Sequence, residues 1–112
     1  MGIEDNECIT PITPFQKRIM YKVVEFDDLI DSSNINIEDM IKIATMIKDS
    51  YNKYDAFMVL HGTDTMAYSA SMLSFMMENL NKPVIFTGSQ IPILELKNDA
   101  IDNFLGSLLV AG

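Results

Sequence analysis

The chain has 112 residues, 48% of them hydrophobic and 21% charged, which is typical of a soluble globular domain and unlike a disordered segment. Its net charge of −8 and its eight scattered Lys and Arg residues argue against nucleic-acid binding, which depends on cations that neutralise phosphates. No apolar run approaches the roughly 20 residues that cross a bilayer, and residues 1–5 lack the profile of a signal peptide. Cys8 and His61, each the only residue of its type, favour neither a disulfide nor a metal site. We therefore expect a cytoplasmic protein that binds no nucleic acid, membrane or metal.

The first half of the chain is predicted to hold one strand and one helix. Residues 1–19 are interpreted as an irregular lead-in, because two Thr-Pro pairs oppose a helix there. Residues 21–26 are rich in β-forming residues and predict a strand. After a polar loop, apolar residues recur at helical spacing from about residue 38 to 53, with Asn36 as a plausible N-cap. The apolar face of this helix consists of Met40, Ile43, Ala44, Ile47 and Tyr51.

The second half is predicted to alternate between strands and helices. Residues 56–60 form a continuous apolar run without alternation, typical of a strand that is covered on both faces. A helix fits residues 66–80, a second short apolar strand fits residues 83–87, and a last helix fits about 97–109. The apolar faces of these two helices are Met66, Ala70, Leu73, Met77 and Leu80 in the first, and Ile101, Leu105, Leu108 and Leu109 in the second.

The alternation predicts an α/β fold with a partial parallel, Rossmann-like sheet in three layers, with helices on both faces and right-handed crossovers. The sequence ends directly after a helix, where another strand would be expected. We therefore interpret residues 20–112 as part of a larger α/β domain.

Three polar loops follow the predicted strands, at residues 31–34, 62–65 and 87–90. Ligands bind at the carboxyl ends of strands in open parallel sheets, so we expect these loops to converge at one edge. Asp64 suits an ammonium group, and the amides at the start of the following helix suit a carboxylate. Each feature also has a structural interpretation: Thr63 and Asp64 as helix caps, the Ser32-Ser33 pair as turn chemistry, and His61 as a structural residue rather than a general base. Asp99 and Asp102 are interpreted as helix-dipole partners or solvated charges.

The string Val59-Leu60-His61-Gly62-Thr63-Asp64-Thr65-Met66-Ala67-Tyr68-Ser69-Ala70 resembles the second signature of the bacterial-type asparaginases. Residues 73–76, 82–85 and 87–92 resemble the same family in the same order, and Asp31-Ser32-Ser33 and Asp99 with Asn103 extend the likeness over nearly all of the chain beyond residue 20. The loop sequence Gly-Ser-Gln-Ile-Pro at residues 88–92 is similar to that of the cytoplasmic, type I branch of the family. The resemblance implies an incomplete N-terminal asparaginase domain and hydrolysis of L-asparagine to L-aspartate and ammonia, without a metal or organic cofactor.

The resemblance also implies roles for single residues. Thr63 and Asp64 match catalytic positions: Thr63 acts on the amide with help from a lysine, and Asp64 binds the α-ammonium group of the substrate. Ser32 matches the serine that binds the α-carboxylate, and Ser33 lies beside it as a further substrate contact. Ser89 is a candidate for a supporting position behind these residues. In the family, a threonine hydroxyl attacks the amide carbon, ammonia leaves, and water releases aspartate.

The sequence departs from the family pattern in two respects. The first family signature, T-G-G-T-I, supplies another catalytic threonine, and no such string occurs in residues 1–30. The partner lysine and the C-terminal domain of the family lie beyond Gly112. We therefore expect this chain to carry the substrate-holding half of the site, and the full-length protein to be a homodimer or homotetramer. The preference between asparagine and glutamine stays open.

Three alternatives remain at this point. The asparaginase-like subunit of Glu-tRNA(Gln) amidotransferase carries a similar Gly-Thr-Asp-Thr signature, although it should bring an additional domain and a basic, RNA-facing surface. Lysophospholipase-like relatives of asparaginase share the segment as well. The third alternative is a non-catalytic module that binds an amino acid or a partner protein.

Overall fold

The computed structural model describes residues 7–112, and the second half of this region alternates between strands and helices as predicted. A short 3-10 turn at Ser32–Asn34 precedes the first α-helix. In chain order the strands and α-helices are β1 (Glu7–Ile9), β2 (Met20–Lys22), α1 (Ile37–Ser50), β3 (Phe57–Leu60), α2 (Met66–Met76), β4 (Val84–Thr87) and α3 (Ala100–Ala111).

The strands β3 and β4 form a parallel sheet in which Phe57 pairs with Val84 and Leu60 pairs with Thr87. The pairing continues one residue further, where the His61 amide donates to the Thr87 carbonyl at 2.8 Å. Alternate side chains of the two strands face opposite sides of this sheet. One face packs against α1 and α2, and Ile85 on the other face lies against α3. The predicted α/β architecture, with a small parallel sheet between helices, is confirmed.

The core lies between α1, α2 and one face of this sheet. Its buried members, each at most 5% exposed, are Met40, Ile43, Ile47 and Leu73. Three of them belong to the apolar face predicted for α1, and that prediction is confirmed. Asn36 caps α1 as expected: its side chain accepts from the Asp39 amide at 3.0 Å, and the Asp39 carboxylate accepts from the Asn36 amide at 3.0 Å. This reciprocal capping box fixes where the helix begins.

The N-terminal region differs from its prediction. Residues 7–9, expected within an irregular lead-in, form β1, which pairs antiparallel with β2 so that Cys8 lies opposite Tyr21. The predicted strand at residues 21–26 ends at Lys22, and Val23 and Val24 are exposed. Within the described residues the ladder of β1 and β2 ends at the pair of Glu7 and Lys22, and β2 pairs with β1 rather than with the parallel strands. The parallel sheet therefore has two strands in the described region, not three.

The helix boundaries also differ in detail. Helix α2 ends at Met76 rather than residue 80, and Leu80 lies beyond it with 39% exposure. In α3, Leu108 is buried, whereas the other three residues of its predicted apolar face are between 40% and 51% exposed. Within residues 7–112, no helix is long and apolar enough to cross a membrane.

Candidate functional site

Three segments that are remote in sequence meet at the carboxyl edge of the parallel sheet. Residues 61–65 leave β3, residues 88–91 leave β4, and both begin at the same edge because Leu60 and Thr87 are paired. Residues 31–34, which comprise the N-cap Asp31 and the 3-10 turn, lie against the first of these loops. Together the three segments form what we term the rim, and its convergence agrees with the expectation from the sequence.

Gly62 lies in direct contact with Ser32. A Cβ atom at position 62 would lie 2.5 Å from the Ser32 Oγ atom and 2.7 Å from its Cβ atom, closer than real atoms approach. Only a residue without a side chain therefore allows the 3-10 turn to approach the loop after β3 this closely. The absence of a side chain at Gly62 places the Ser32 hydroxyl beside the Gly62-Thr63-Asp64 loop.

A hydrogen bond to the backbone of Ser32 also holds the 3-10 turn against the loop after β3. The Thr65 hydroxyl donates to the Ser32 carbonyl at 2.6 Å, whereas it makes no capping bond to its own helix, α2. Asp31 caps the 3-10 turn by accepting from the Ser33 amide at 3.0 Å, and this hydrogen bond holds the pKa of the Asp31 carboxyl below its ordinary value. The start of the turn that carries Ser32 is thus held by two side chains.

Ser32 is buried, with 5% of the residue exposed. Every fully buried side-chain oxygen or nitrogen in residues 7–112 has a hydrogen-bond partner. Since the Ser32 hydroxyl makes no hydrogen bond to the described part of the protein, its oxygen retains contact with solvent. The Ser32 hydroxyl therefore has no partner in the described region with which a ligand would compete.

Thr63 and Asp64 stand at the accessible part of the rim. Thr63 is partly exposed and Asp64 is exposed, and neither side chain forms a hydrogen bond or ion pair with another described residue. They directly precede α2, whose first amides carry a partial positive charge. The interpretation of these two side chains as helix caps is not supported, since α2 has no side-chain cap. A hydroxyl and a carboxylate are thus available side by side.

His61 serves the structure of the rim. Its Nδ1 lies against the Gly62 carbonyl, which accepts a hydrogen bond from this nitrogen in the tautomer that suits the contact. Its Nε2 lies within hydrogen-bond distance of the hydroxyl of buried Ser69, at 2.9 Å, and the ring packs beside Phe86 with centroids 5.7 Å apart. With both ring nitrogens engaged, His61 fits the structural interpretation rather than that of a general base.

The loop after β4 is joined to α3 by side chains that the sequence did not single out for this role. Asp99 accepts from the amides of Gln90 and Ile91 at 3.0 Å each, and Asn103 donates to the Gly88 carbonyl at 2.8 Å. These backbone donors hold the pKa of the Asp99 carboxyl below its ordinary value. Asp99 lies at the N-cap of α3, where a dipole partner is expected, and its oxygens in addition accept from the backbone of a loop outside that helix.

The two remaining candidate residues, Ser33 and Ser89, make fewer contacts within the rim. Ser33 is exposed beside Ser32, and Ser89 is partly exposed in the loop after β4. No group of three or more His, Cys, Asp or Glu residues within 7–112 is placed to hold a metal ion. The residues that the structure brings together most closely are Ser32 and the loop of Thr63 and Asp64.

Comparison with known proteins places the whole described region in one family. Residues 3–112 match the family model described as "Asparaginase, N-terminal". L-asparaginase 1 of Escherichia coli (strain K12) is 56% identical over 91 residues, which are 81% of this chain and 27% of that protein. The crystal structure of L-asparaginase I from Vibrio cholerae superposes with a TM-score of 0.76 at 57% identity, covering 79% of this chain and 27% of the other.

A relative with a different name is similar to a comparable degree. The 60 kDa lysophospholipase of Mus musculus is 50% identical over 109 residues, which are 97% of this chain and 19% of that protein. This chain thus spans about a fifth to a quarter of the length of the relatives that it matches.

Proposed function

The chain belongs to the asparaginase family, and from this membership we propose that it is part of an amidohydrolase that converts L-asparagine to L-aspartate and ammonia. The observation that carries the proposal is the rim, where Ser32 abuts the loop of Thr63 and Asp64. This arrangement supplies the hydroxyls of Ser32 and Thr63 and the carboxylate of Asp64. These groups suit the α-carboxylate, the side-chain amide and the α-ammonium group of asparagine.

We propose that the amino-acid end of the substrate is held by Asp64 and Ser32. The Asp64 carboxylate binds the α-ammonium group, because it is exposed, has no partner among residues 7–112 and can form a charge-assisted hydrogen bond. The Ser32 hydroxyl binds the α-carboxylate, with Ser33 as a neighbouring contact. Ser89 supports the rim from the loop after β4.

The chemical step is assigned to the amide end, where Thr63 acts as a catalytic hydroxyl. In this acyl transfer a threonine oxygen bonds to the amide carbon, the C–N bond breaks, and the nitrogen leaves as ammonia with the hydroxyl proton. Water then hydrolyses the ester, releases aspartate and restores the hydroxyl. Backbone N–H groups at the edge of the sheet suit the oxyanion that forms. Other parts of the full-length protein would supply the remaining catalytic groups, including the lysine that assists Thr63.

For the full-length protein we propose a homodimer or homotetramer in the cytoplasm. The support is similarity to L-asparaginase 1 of Escherichia coli, together with the type I form of the Gly88-Ser89-Gln90 loop. Asparagine is the proposed substrate and glutamine the competitor to be compared with it.

A lysophospholipase is the second candidate, because a relative of that name is 50% identical over nearly the whole chain. An amidotransferase subunit is supported less well, since the asparaginases and the lysophospholipase named above are more similar to this chain. A non-catalytic binding module would use the same rim without turnover. Ammonia release separates the asparaginase proposal from both the lysophospholipase and the binding module.

The test is ammonia release from L-asparagine and L-glutamine by the protein expressed from its complete gene. We expect turnover with L-asparagine, and we expect Thr63→Ala to lower kcat by at least about a thousandfold, because loss of a catalytic hydroxyl leaves only binding and oxyanion contributions. Thr45→Val serves as a control, since Thr45 donates only within α1, and it should retain wild-type kcat.

Two results would contradict the proposal. One is a well-folded protein that releases no ammonia from L-asparagine. The other is a Thr63→Ala variant that retains most of the wild-type kcat.

A further inference from the structure

The loop of residues 88–91 is held between two parts of the molecule. On one side, Asp99 accepts from the Gln90 and Ile91 amides, each at 3.0 Å, and Asn103 donates to the Gly88 carbonyl at 2.8 Å. Asn103 also donates to the Asp99 carboxylate at 3.2 Å, which fixes the orientation of that carboxylate. Three hydrogen bonds thus join the loop to the start of α3.

On its other side, the loop packs against the segment that carries Thr63. A Cβ atom at Gly88 would lie 2.1 Å from the His61 carbonyl oxygen, so the backbones of these two residues are in direct contact. His61 is two residues before Thr63, and its imidazole is bound to Gly62 and Ser69. A displacement of Gly88 would therefore be transmitted to the Thr63 loop, because this contact has no free space to absorb it.

We propose that Asp99 is a positioning residue for the proposed reaction: through the loop of residues 88–91 it sets the placement of the Thr63 hydroxyl. Asp99 itself touches no reacting atom. The inference rests on the proposed function, and it assigns to Asp99 a task that is distinct from the substrate contacts of Ser32 and Asp64. A carboxylate is needed because both of its oxygens accept from backbone N–H groups, whereas an asparagine has one acceptor oxygen and an amide that only donates.

The kinetic test compares Asp99→Asn with Asp102→Asn in the protein expressed from its complete gene. Asp102 lies in the first turn of α3, so the control removes the same charge nearby without a hydrogen bond to the rim. For Asp99→Asn we expect kcat to fall between tenfold and about a hundredfold while KM changes less than threefold, because small displacements of a catalytic group act on the chemical step. Asp99→Glu, which keeps both oxygens, should recover part of the lost kcat, and Asp102→Asn should match the wild type.

The second measurement is amide hydrogen exchange on the same variants, and it does not depend on turnover. In Asp99→Asn we expect faster exchange, by about tenfold, at residues 88–91 and also at residues 61–65, while α1 keeps its protection. Faster exchange in both segments supports the mechanical link. Faster exchange at residues 88–91 alone, or equally throughout the protein, would overturn it.

The outcomes separate this inference from the proposed function. If the wild type hydrolyses asparagine and Asp99→Asn keeps its kcat, the positioning role is wrong and the proposed function stands. If KM rises as much as kcat falls, Asp99 acts on substrate binding and the inference is also wrong. If the wild type releases no ammonia, the proposed function fails together with the catalytic part of the inference, and the exchange data alone then support or overturn the link between the two loops.

Discussion

At the scale of single residues, the rim depends on two glycines, whose lack of a side chain lets neighbouring segments approach closely. Gly62 admits Ser32, and Gly88 admits the His61 carbonyl, at distances that no Cβ atom would tolerate. Neither glycine has a positive φ angle, so the requirement is for space and not for an unusual backbone conformation. The positions of the polar groups on the rim therefore follow from the size of their neighbours.

Gly62→Ala tests this requirement. The new methyl group would overlap Ser32, so either the 3-10 turn or the loop after β3 must move. We expect the free energy of unfolding to fall by about 1–3 kcal/mol, as for other overpacked sites, and KM for L-asparagine to rise. Urea denaturation and steady-state kinetics on the protein from its complete gene would measure the two effects.

Gly106→Ala is the matched control for this substitution. Gly106 lies within α3, and a Cβ atom there would meet nothing within 4 Å. Alanine should stabilise the helix by up to about 1 kcal/mol without changing KM. A Gly62→Ala variant as stable as the wild type would show that the contact with Ser32 is not tight.

At the scale of elements, the sequence predicted those parts whose signals are local. Helix α1 combines a 3.6-residue apolar period with an Asn at its start, so its apolar face and its N-cap, Asn36, could both be predicted from the chain. Strands β3 and β4 were predicted because short apolar runs between turns suit buried parallel strands. The strand that contains Tyr21 was expected in the parallel sheet, whereas it pairs antiparallel with β1, and no local pattern specifies which strand will be the neighbour.

The difference between local signals and contacts of remote segments also explains which features of the site could be predicted. Thr63 and Asp64 could be placed at the edge of the sheet in advance, because they follow a predicted parallel strand. The strand predicted before Ser32 does not join that sheet, and the contact with Gly62 brings Ser32 to the rim instead. The tasks of Thr65 and Asp99 could not be predicted, because each side chain bonds to a backbone group of another segment. Neither residue type nor spacing specifies such a partner. The three-dimensional path of the chain was needed to find it.

Thr65→Val tests the connection between two elements, α2 and the 3-10 turn. Valine has the shape of threonine but cannot donate to the Ser32 carbonyl, which loses its 2.6 Å hydrogen bond. We expect a loss of about 1 kcal/mol in unfolding free energy, the usual net value of one hydrogen bond. We also expect a higher KM, because the turn that carries Ser32 is less firmly held.

Thr45→Val is the control for Thr65→Val, because it removes a threonine hydroxyl that lies away from the rim. The Thr45 hydroxyl donates at 2.8 Å to Ile41 in its own helix, so its loss should leave KM unchanged. If the two variants had the same KM, the hydrogen bond between Thr65 and Ser32 would have no role in substrate binding.

At the scale of the whole molecule, the rim is a product of the complete α/β arrangement. Its groups come from a turn before α1, from the ends of β3 and β4, and from the start of α3, so no short segment of the chain contains the site. The hydrophobic core beneath it is small, with five buried hydrophobic residues in the described region. Several large apolar side chains are exposed, among them Tyr68 and Phe75 on α2 at 77% and 87%.

The small core and the exposed apolar side chains belong to a chain that spans 27% of its relative from Escherichia coli. In the proposed mechanism, the described region holds the amino-acid end of the substrate and one catalytic hydroxyl. Binding and turnover should therefore be separable by substitution, since different side chains of the rim carry them.

The most direct test of this separation is the affinity for the product L-aspartate, measured by titration calorimetry on Thr63→Ala and Asp64→Asn made in the complete gene. We expect Thr63→Ala to bind L-aspartate within about threefold of the wild-type Kd. Asp64→Asn should weaken binding by between tenfold and about a hundredfold, because it loses a charge-assisted hydrogen bond to the ammonium group. The proposed division of roles would be contradicted if Asp64→Asn bound L-aspartate as tightly as the wild type, or if Thr63→Ala lost as much affinity as Asp64→Asn.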